Sequence, residues 1–376
     1  MSGLTIRPVR TKKDEKTFIK FQWKVYEGNP YWVPPLLLDR RKLIDKKKNP
    51  FYLHAEMELF LAERDGEVVG RIGAIVNHNH NKEHNENIGF FGFFECINDQ
   101  TVANSLFDAA RSWLAHNGVT AVRGPASPSV NDEYGLLIEG FDKSPAILMS
   151  YNPPYYQQLI ENVGFKKAKD LYAYYLRDDK VFSEKFVRIS EMAKKRGGLV
   201  FRSLNMKDFD NELVKIHELY SRGWESNWGE VPLTDEEFEY MAKDLKPIVN
   251  PEVVVFAESK GKAVGFGVSL PDLNIVLKGN KKGYLIPALI RLVLFKKKIN
   301  FMRIVILGVL PEYRNSGIGG LLFYETGRRG VAQGYWHGEA SWVLEDNLMM
   351  NRGAKLMNAE KSKTYRIYEM PLQRAS

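Results

Sequence analysis

The sequence predicts an α/β protein built as two copies of one plan. Three observations carry this. Phe60–Gly70 reads FLAERDGEVVG and Val255–Gly265 reads VFAESKGKAVG, so that Ala62/Ala257, Glu63/Glu258, Gly66/Gly261, Val69/Val264 and Gly70/Gly265 coincide. The segments around these hairpins return in the same order. Short apolar or alternating runs also interleave with runs of helical period throughout, which is the mark of mixed α/β structure. A length of 376 residues suits about two domains of roughly 150–200 residues each. The halves divide as 1–176, a helical connector over 177–198, and 199–376.

In the first half, Leu4–Val9 reads as a strand and Asp14–Gln22 as a helix. Tyr31-Trp32-Val33-Pro34-Pro35 is a rigid aromatic loop, and Leu36–Lys48 is helical. A hairpin turns at Asp65-Gly66. Ile88–Cys96 is a strand. Asp99 caps a helix that ends before Gly118. Val119–Val122 is a strand, Asn152–Val163 a helix and Ala168–Leu176 a closing strand. The second half repeats this with strand Leu199–Ser203 and helix Asp208–Ser221. Helix Asp235–Leu245 follows, with Thr234 and Glu237 forming a capping box. After the hairpin come strand Met302–Gly308, helix Leu321–Gln333, strand His337–Val343, helix Asn347–Met357 and strand Thr364–Met370.

The most informative stretch is Val309-Leu310-Pro311-Glu312-Tyr313-Arg314-Asn315-Ser316-Gly317-Ile318-Gly319-Gly320. It joins a buried strand to a helix. Glycines at such a turn let backbone N–H groups approach an anion, and the helix dipole adds its positive end. Arg314 adds a permanent cation. The spacing fits neither G-x-G-x-x-G nor G-x-x-x-x-G-K-[ST]. Arg-x-x-Gly-x-Gly between strand and helix, with Pro311 before it and Ala340–Asn347 after it, resembles the coenzyme A loop of the GNAT N-acyltransferase superfamily. The resemblance covers nearly the whole chain and is sharpest in the second half.

This resemblance implies an α/β fold of two tandem GNAT-like domains, each a mixed, mostly antiparallel central sheet flanked by helices. It implies acetyl-CoA or another acyl-CoA as cosubstrate, held by Gly308, Val309, Leu310, Arg314, Asn315, Ser316, Gly317, Ile318, Gly319, Gly320 and Asn347. The strand before the loop is expected to splay from its neighbour, with a bulge at Gly308 and an oxyanion held by N–H groups near Gly308 and Val309. An acceptor amine is mostly protonated at neutral pH, so a base is required. Glu339 is the first candidate, weighed against a strand-edge surface carboxylate. Glu345 and Asp346 come second. The tyrosine that commonly protonates the leaving thiolate is absent, its position being Ala354. Ser341 or Tyr313 would serve instead, or the thiolate leaves unaided.

In the first copy the corresponding turn reads Ile97-Asn98-Asp99-Gln100-Thr101-Val102, without arginine or glycine, so coenzyme A binding is lost there. The polar segment Gly124–Gly135 and the following Asn152–Tyr156 are read either as acceptor recognition, through Asn131, Glu133 and Tyr155, or as a surface loop. Loop residues Asn227 and Trp228 are further acceptor-binding candidates, and no metal site is assigned.

The net charge is +8, which suits a polyanionic cofactor as well as nucleic acid or an anionic membrane; nucleic acid is not expected with an intact coenzyme A loop. The single Cys96 excludes an internal disulfide and sits in an apolar run, as a packed thiol does. Neither a signal-peptide core nor a stretch of about 18 apolar residues is present, so a cytoplasmic protein is expected. Residues 271–300 exceed what the repeat needs. Their apolar segment Tyr284–Phe295, followed by Lys296-Lys297-Lys298, reads either as a buried helix or as an interfacial element or acyl-chain lid. The leading expectation is a coenzyme A-dependent N-acyltransferase acting on a primary amine, small or lipid. Alternatives are long-chain acylation of an aminolipid at a membrane, a non-catalytic acyl-CoA-binding protein, and a relative of aminoacyl-tRNA-dependent peptidyltransferases.

Overall fold

The computed structural model describes residues 3–196, 198–224 and 228–372, without the side chains of Lys185, Arg196, Trp224 and Asn315. In chain order the elements are β1 (Leu4–Pro8), α1 (Lys12–Val25), α2 (Leu37–Ile44), β2 (Ala55–Arg64), β3 (Glu67–Asn77), α3 (His78–His84), β4 (Ile88–Cys96) and α4 (Gln100–His116). Then come β5 (Ala121–Gly124), β6 (Ala126–Ser127), β7 (Glu133–Tyr134), β8 (Leu136–Glu139), α5 (Tyr156–Val163) and β9 (Lys166–Arg177). Helices α6 (Asp178–Val181) and α7 (Glu184–Arg196) follow β9. The rest is β10 (Leu199–Ser203), α8 (Phe209–Trp224), α9 (Asp235–Leu245), β11 (Val254–Ser259), β12 (Lys262–Pro271), α10 (Asn274–Leu277), α11 (Leu285–Phe295), β13 (Phe301–Val309), α12 (Ile318–Ala332), β14 (His337–Leu344), α13 (Leu348–Leu356) and β15 (Glu360–Pro371).

Contacts divide the chain into two compact units: residues 1–171, 277–291 and 363–376 in one, and residues 172–276 and 292–362 in the other. Residues of β15 from Thr364 onward belong to the first unit because they pair with β8 and β5. Within the first unit β1, β2, β3 and β4 pair antiparallel in sequence order, and β4 pairs parallel with β5. Within the second, β10 to β13 pair antiparallel in order and β13 pairs parallel with β14. Each unit is therefore a mixed, mostly antiparallel sheet.

The first core lies between its sheet and α4, with Phe91, Phe107 and Phe165 packed edge to face. In the second unit the period-two alternation of strands is explicit. Val254, Phe256 and Phe266 pack with α8 and α9 through Ile216, Tyr220 and Phe238. Val255, Ala257 and Val264 pack with Ile318 and Leu322, fixing the first turns of α12.

Several elements differ from the sequence reading. Helix α2 stops at Ile44, and α5 starts only at Tyr156 because Pro153 and Pro154 precede it. Helix α3 was not anticipated; Asn77 caps it by accepting from the His80 N–H. The segment Gly124–Gly135, expected as a loop, carries β6 and β7, with Ala126, Ser127 and Ser129 buried.

Candidate functional site: a splayed strand pair and a glycine helix start

The turn after β13 is a single stretch of 3-10 helix, Pro311–Ser316, closed by Gly317 at φ +82°. That left-handed conformation suits glycine. Helix α12 begins at Ile318, and its first turn has no side-chain cap. The first helical bond is made by Leu321 N–H to Gly317 O. The N–H groups of Ile318, Gly319 and Gly320 therefore stand before any intrahelical acceptor, at the positive end of the dipole. A Cβ at Gly319 would approach only Leu307 and Val309 side chains at 3.9 Å, and one at Gly320 would meet nothing within 4 Å. Internal packing does not demand these glycines. Small residues over exposed amides fit a phosphate-bearing ligand such as coenzyme A. Arg314 is half-buried beside this turn and anchored to the Gly223 carbonyl at 2.7 Å, and Ser316 Oγ donates to Tyr313 O at 2.5 Å. The Asn315 side chain lies outside what is described.

Strands β13 and β14 pair over Phe301–Ile304 and His337–Ala340, after which they part. The bulge lies at Val305, since Val268 faces Ile306 and Ser269 faces Ile304. The expected bulge at Gly308 is thus corrected: Gly308 sits in regular register with Phe266. Leu310 N–H bonds to Val264 O. Amides alternate along a strand, so Gly308 N–H also points to β12, and the Leu307 and Val309 N–H groups point to the splayed side. Of the two residues named for the oxyanion, Val309 turns its N–H to the splayed side with Leu307, and Gly308 does not; the Leu310 N–H is taken by Val264 O.

At the point of parting sits a buried polar chain. Arg303 Nε donates to Ser341 Oγ at 2.9 Å, and Ser341 Oγ donates to Glu339 Oε1 at 2.9 Å. Arg303 also donates to Ser341 O at 3.0 Å and lies 5.1 Å from the Trp342 ring. Glu339 is 1% exposed, so it is no surface carboxylate. Glu339 and Ser341 share a strand face two residues apart, and Arg303 is opposite Glu339 in register. Arg303 was not anticipated; a lone arginine in the apolar run of β13 was its signal. Asn347 caps α13 by accepting from Met350 N–H. Tyr313 packs against the core by its ring.

In the first unit the same two features are satisfied by the chain itself. Asp99 accepts from the Thr101 and Val102 N–H groups at the start of α4 and pairs with Arg64 at 2.8 Å. Strands β4 and β5 pair over Ile88–Phe90 and part. There Ser127 Oγ accepts from Phe93 N–H at 2.8 Å, and a Cβ on Gly92 would lie 1.8 Å from Ala126 O. Strand β6 fills the splay.

The acceptor candidates of this half are bound up in the fold. Glu133 pairs with Arg40, Asn131 N–H bonds to Ser129 Oγ at 3.1 Å, and Tyr155 OH donates to Cys96 O at 2.8 Å. Cys96 is buried and its thiol is pushed up to about 12, chiefly by burial. Trp228 is half-buried, and Asn227 lies outside the described residues.

Sequence reading missed a buried network here. Glu95 accepts from Gln22 Nε2 at 2.8 Å and from Tyr156 OH at 2.7 Å, with Arg71 at 3.5 Å. Burial raises the Glu95 carboxyl despite Arg71. Its only signal is a single acid in the apolar strand β4.

The chain is 36% identical over 382 residues to the bacterial ceramide synthase of Caulobacter vibrioides (strain NA1000 / CB15N), covering 99% of this chain and 98% of that protein. It is 34% identical over 372 residues to protein YghO of Escherichia coli (strain K12), covering 97% and 94%. No protein-family model matches. Among solved structures, a tandem GNAT protein from the clavulanic acid biosynthesis pathway superposes with a TM-score of 0.57 at 12% identity, over 99% of this chain and 100% of that one. A GCN5-related N-acetyltransferase from Sphaerobacter thermophilus gives 0.55 at 12% identity, over 98% and 96%. Identities this low speak for the fold alone. The chain thus has the tandem GNAT fold, and by full-length kinship it belongs to the family of the Caulobacter bacterial ceramide synthase and protein YghO.

Proposed function

We propose that this chain is an N-acyltransferase that joins a long-chain acyl group, delivered as a coenzyme A thioester, to the primary amine of a lipid base. The observation that carries the reading is the second unit's uncapped Gly317–Gly320 helix start at the end of a strand whose Leu307 and Val309 amides face a splay. The same cradle suits acetyl-CoA. The long chain is favoured by the relative named bacterial ceramide synthase, since a ceramide is a fatty amide of a long-chain amino alcohol.

A thioester supplies an acyl carbon open to attack by a neutral amine. The Ile318, Gly319 and Gly320 amides hold phosphate oxygens, with Arg314 adding charge. The Leu307 and Val309 amides hold the carbonyl oxygen as negative charge develops on it. Glu339, hydrogen-bonded to Ser341, accepts the proton that the amine sheds. Ser341, whose hydroxyl donates to that carboxylate, is the candidate donor to the departing thiolate, whose ordinary pKa of about 8.5 makes it a fair leaving group unaided.

The test is incubation with palmitoyl-CoA or acetyl-CoA and sphinganine, with thiol release and amide product followed by mass spectrometry. Palmitoyl amide formed faster than acetyl amide supports the proposal. Acetyl amide formed faster points to a small-acyl enzyme. Binding of either thioester with no amine-dependent thiol release would make the chain an acyl-CoA-binding protein and sink the catalytic reading.

A further inference from the structure

Helix α11 turns its apolar side outward. Leu285, Ile286, Leu289, Ile290, Val293 and Leu294 form a continuous stripe, and Ile286, Val293 and Leu294 are 72%, 81% and 66% exposed. Ala288, on the other side, is buried. An amphipathic helix of a folded domain normally does the reverse. The exposed stripe is bounded by charge of one sign. Lys281 and Lys282 precede it, Lys296, Lys297 and Lys298 follow it, and all five are exposed. From Leu273 to Pro311 there is no aspartate or glutamate. The root of the segment is fixed: Lys281 O accepts from Trp23 Nε1 at 2.8 Å, and Gly283 O accepts from Leu37 N–H at 2.9 Å. With 11 residues the helix is about 16 Å long and cannot span a bilayer.

We infer that α11 and its flanking lysines form a docking face for an anionic lipid bilayer, with the stripe seated at the acyl boundary and the lysines among the headgroups. Apolar residues between clusters of lysine are the composition that interfacial helices use. A second copy of this chain fits the face less well, because self-association would bring like-charged lysine clusters together around it. The inference goes beyond the acyl-transfer reading and does not need it.

The test is flotation of the full chain with vesicles of phosphatidylcholine alone or mixed with phosphatidylglycerol. The chain is expected to float with the mixed vesicles in a salt-sensitive way. Ile286→Ser/Ile290→Ser/Val293→Ser is expected to lower partitioning at least about tenfold. Lys296→Gln/Lys297→Gln/Lys298→Gln is expected to abolish the preference for phosphatidylglycerol. These side chains are exposed, so the variants keep their melting temperature. Wild-type protein that stays in solution, or a triple-serine variant that floats equally well, overturns the inference. So does a dimer by light scattering that the serine variant dissolves while neither protein floats. Acyl transfer to a detergent-solubilised amine reads the chemistry separately, so the two proposals fail distinguishably.

Discussion

The glycine pair at the start of α12 allows a test in which stability and affinity move in opposite directions. Gly319 and Gly320 are helical, have no positive φ, and would accept a methyl group without contact closer than 3.9 Å. Gly→Ala in a helix is worth about 0.5–1 kcal/mol, so Gly319→Ala/Gly320→Ala should stabilise the ligand-free protein by about 1–2 kcal/mol. The methyl groups would nonetheless stand over the amides that face the proposed phosphate. Losing one charge-assisted bond costs about 1.5–3 kcal/mol, which is roughly 10- to 100-fold in Kd. Denaturant midpoints of the ligand-free proteins and calorimetric titration with coenzyme A measure both sides. A destabilised variant would show that the open space is misread. A more stable variant with unchanged affinity would show that the cradle does not hold the cofactor.

Glu339→Gln keeps a hydrogen-bond acceptor for Ser341 but removes the base; single-turnover acyl transfer should fall by about 10²–10⁴-fold while coenzyme A affinity holds, and an unchanged rate would exclude Glu339. Burial pushes the His80 imidazole down to about 4, below its ordinary 6.5. The folded state thus keeps it neutral while the unfolded chain takes up a proton. The stability this group gives is fully present above about pH 6.5 and is lost as pH falls towards 4, by on the order of 3 kcal/mol. Urea midpoints of wild type and His80→Gln across that window should converge at the acid end; parallel curves would refute the assignment.

What the sequence made legible is local. The hairpin turns, the Asp99 cap, the Thr234–Glu237 capping box and the strand-turn-helix at Gly317 each depend on residues within a few positions of one another. What it hid depends on pairing between distant segments. The bulge at Val305 exists only relative to β12. The Glu95 network joins Gln22, Arg71 and Tyr156, which no spacing rule connects. Arg303 gains meaning only when β14 brings Ser341 beside it. Helix α11 is the instructive case: apolar residues on nearly every side read equally well as burial, and the fold leaves that face outward.

The two copies meet one geometric demand in opposite ways. Parallel strands that part leave main-chain donors in need of partners, as does the first turn of the following helix. In the first unit β6 answers the strand through Ser127, and Asp99 answers the helix. In the second unit Val309, Leu307 and the glycine amides are the corresponding donors, and a ligand is the proposed partner. If so, removing Asp99 cannot by itself restore a cofactor site. Asp99→Gly frees the α4 amides and breaks the pair with Arg64, costing about 0.5–2 kcal/mol as a lost cap. Ala126 O still lies against Gly92, on the stretch of β4 beyond its pairing with β5. Titration of wild type and Asp99→Gly should therefore both give one coenzyme A per chain. A second site of comparable affinity in the variant would refute the claim that β6 closes the first cleft, and would place the loss in the helix cap alone.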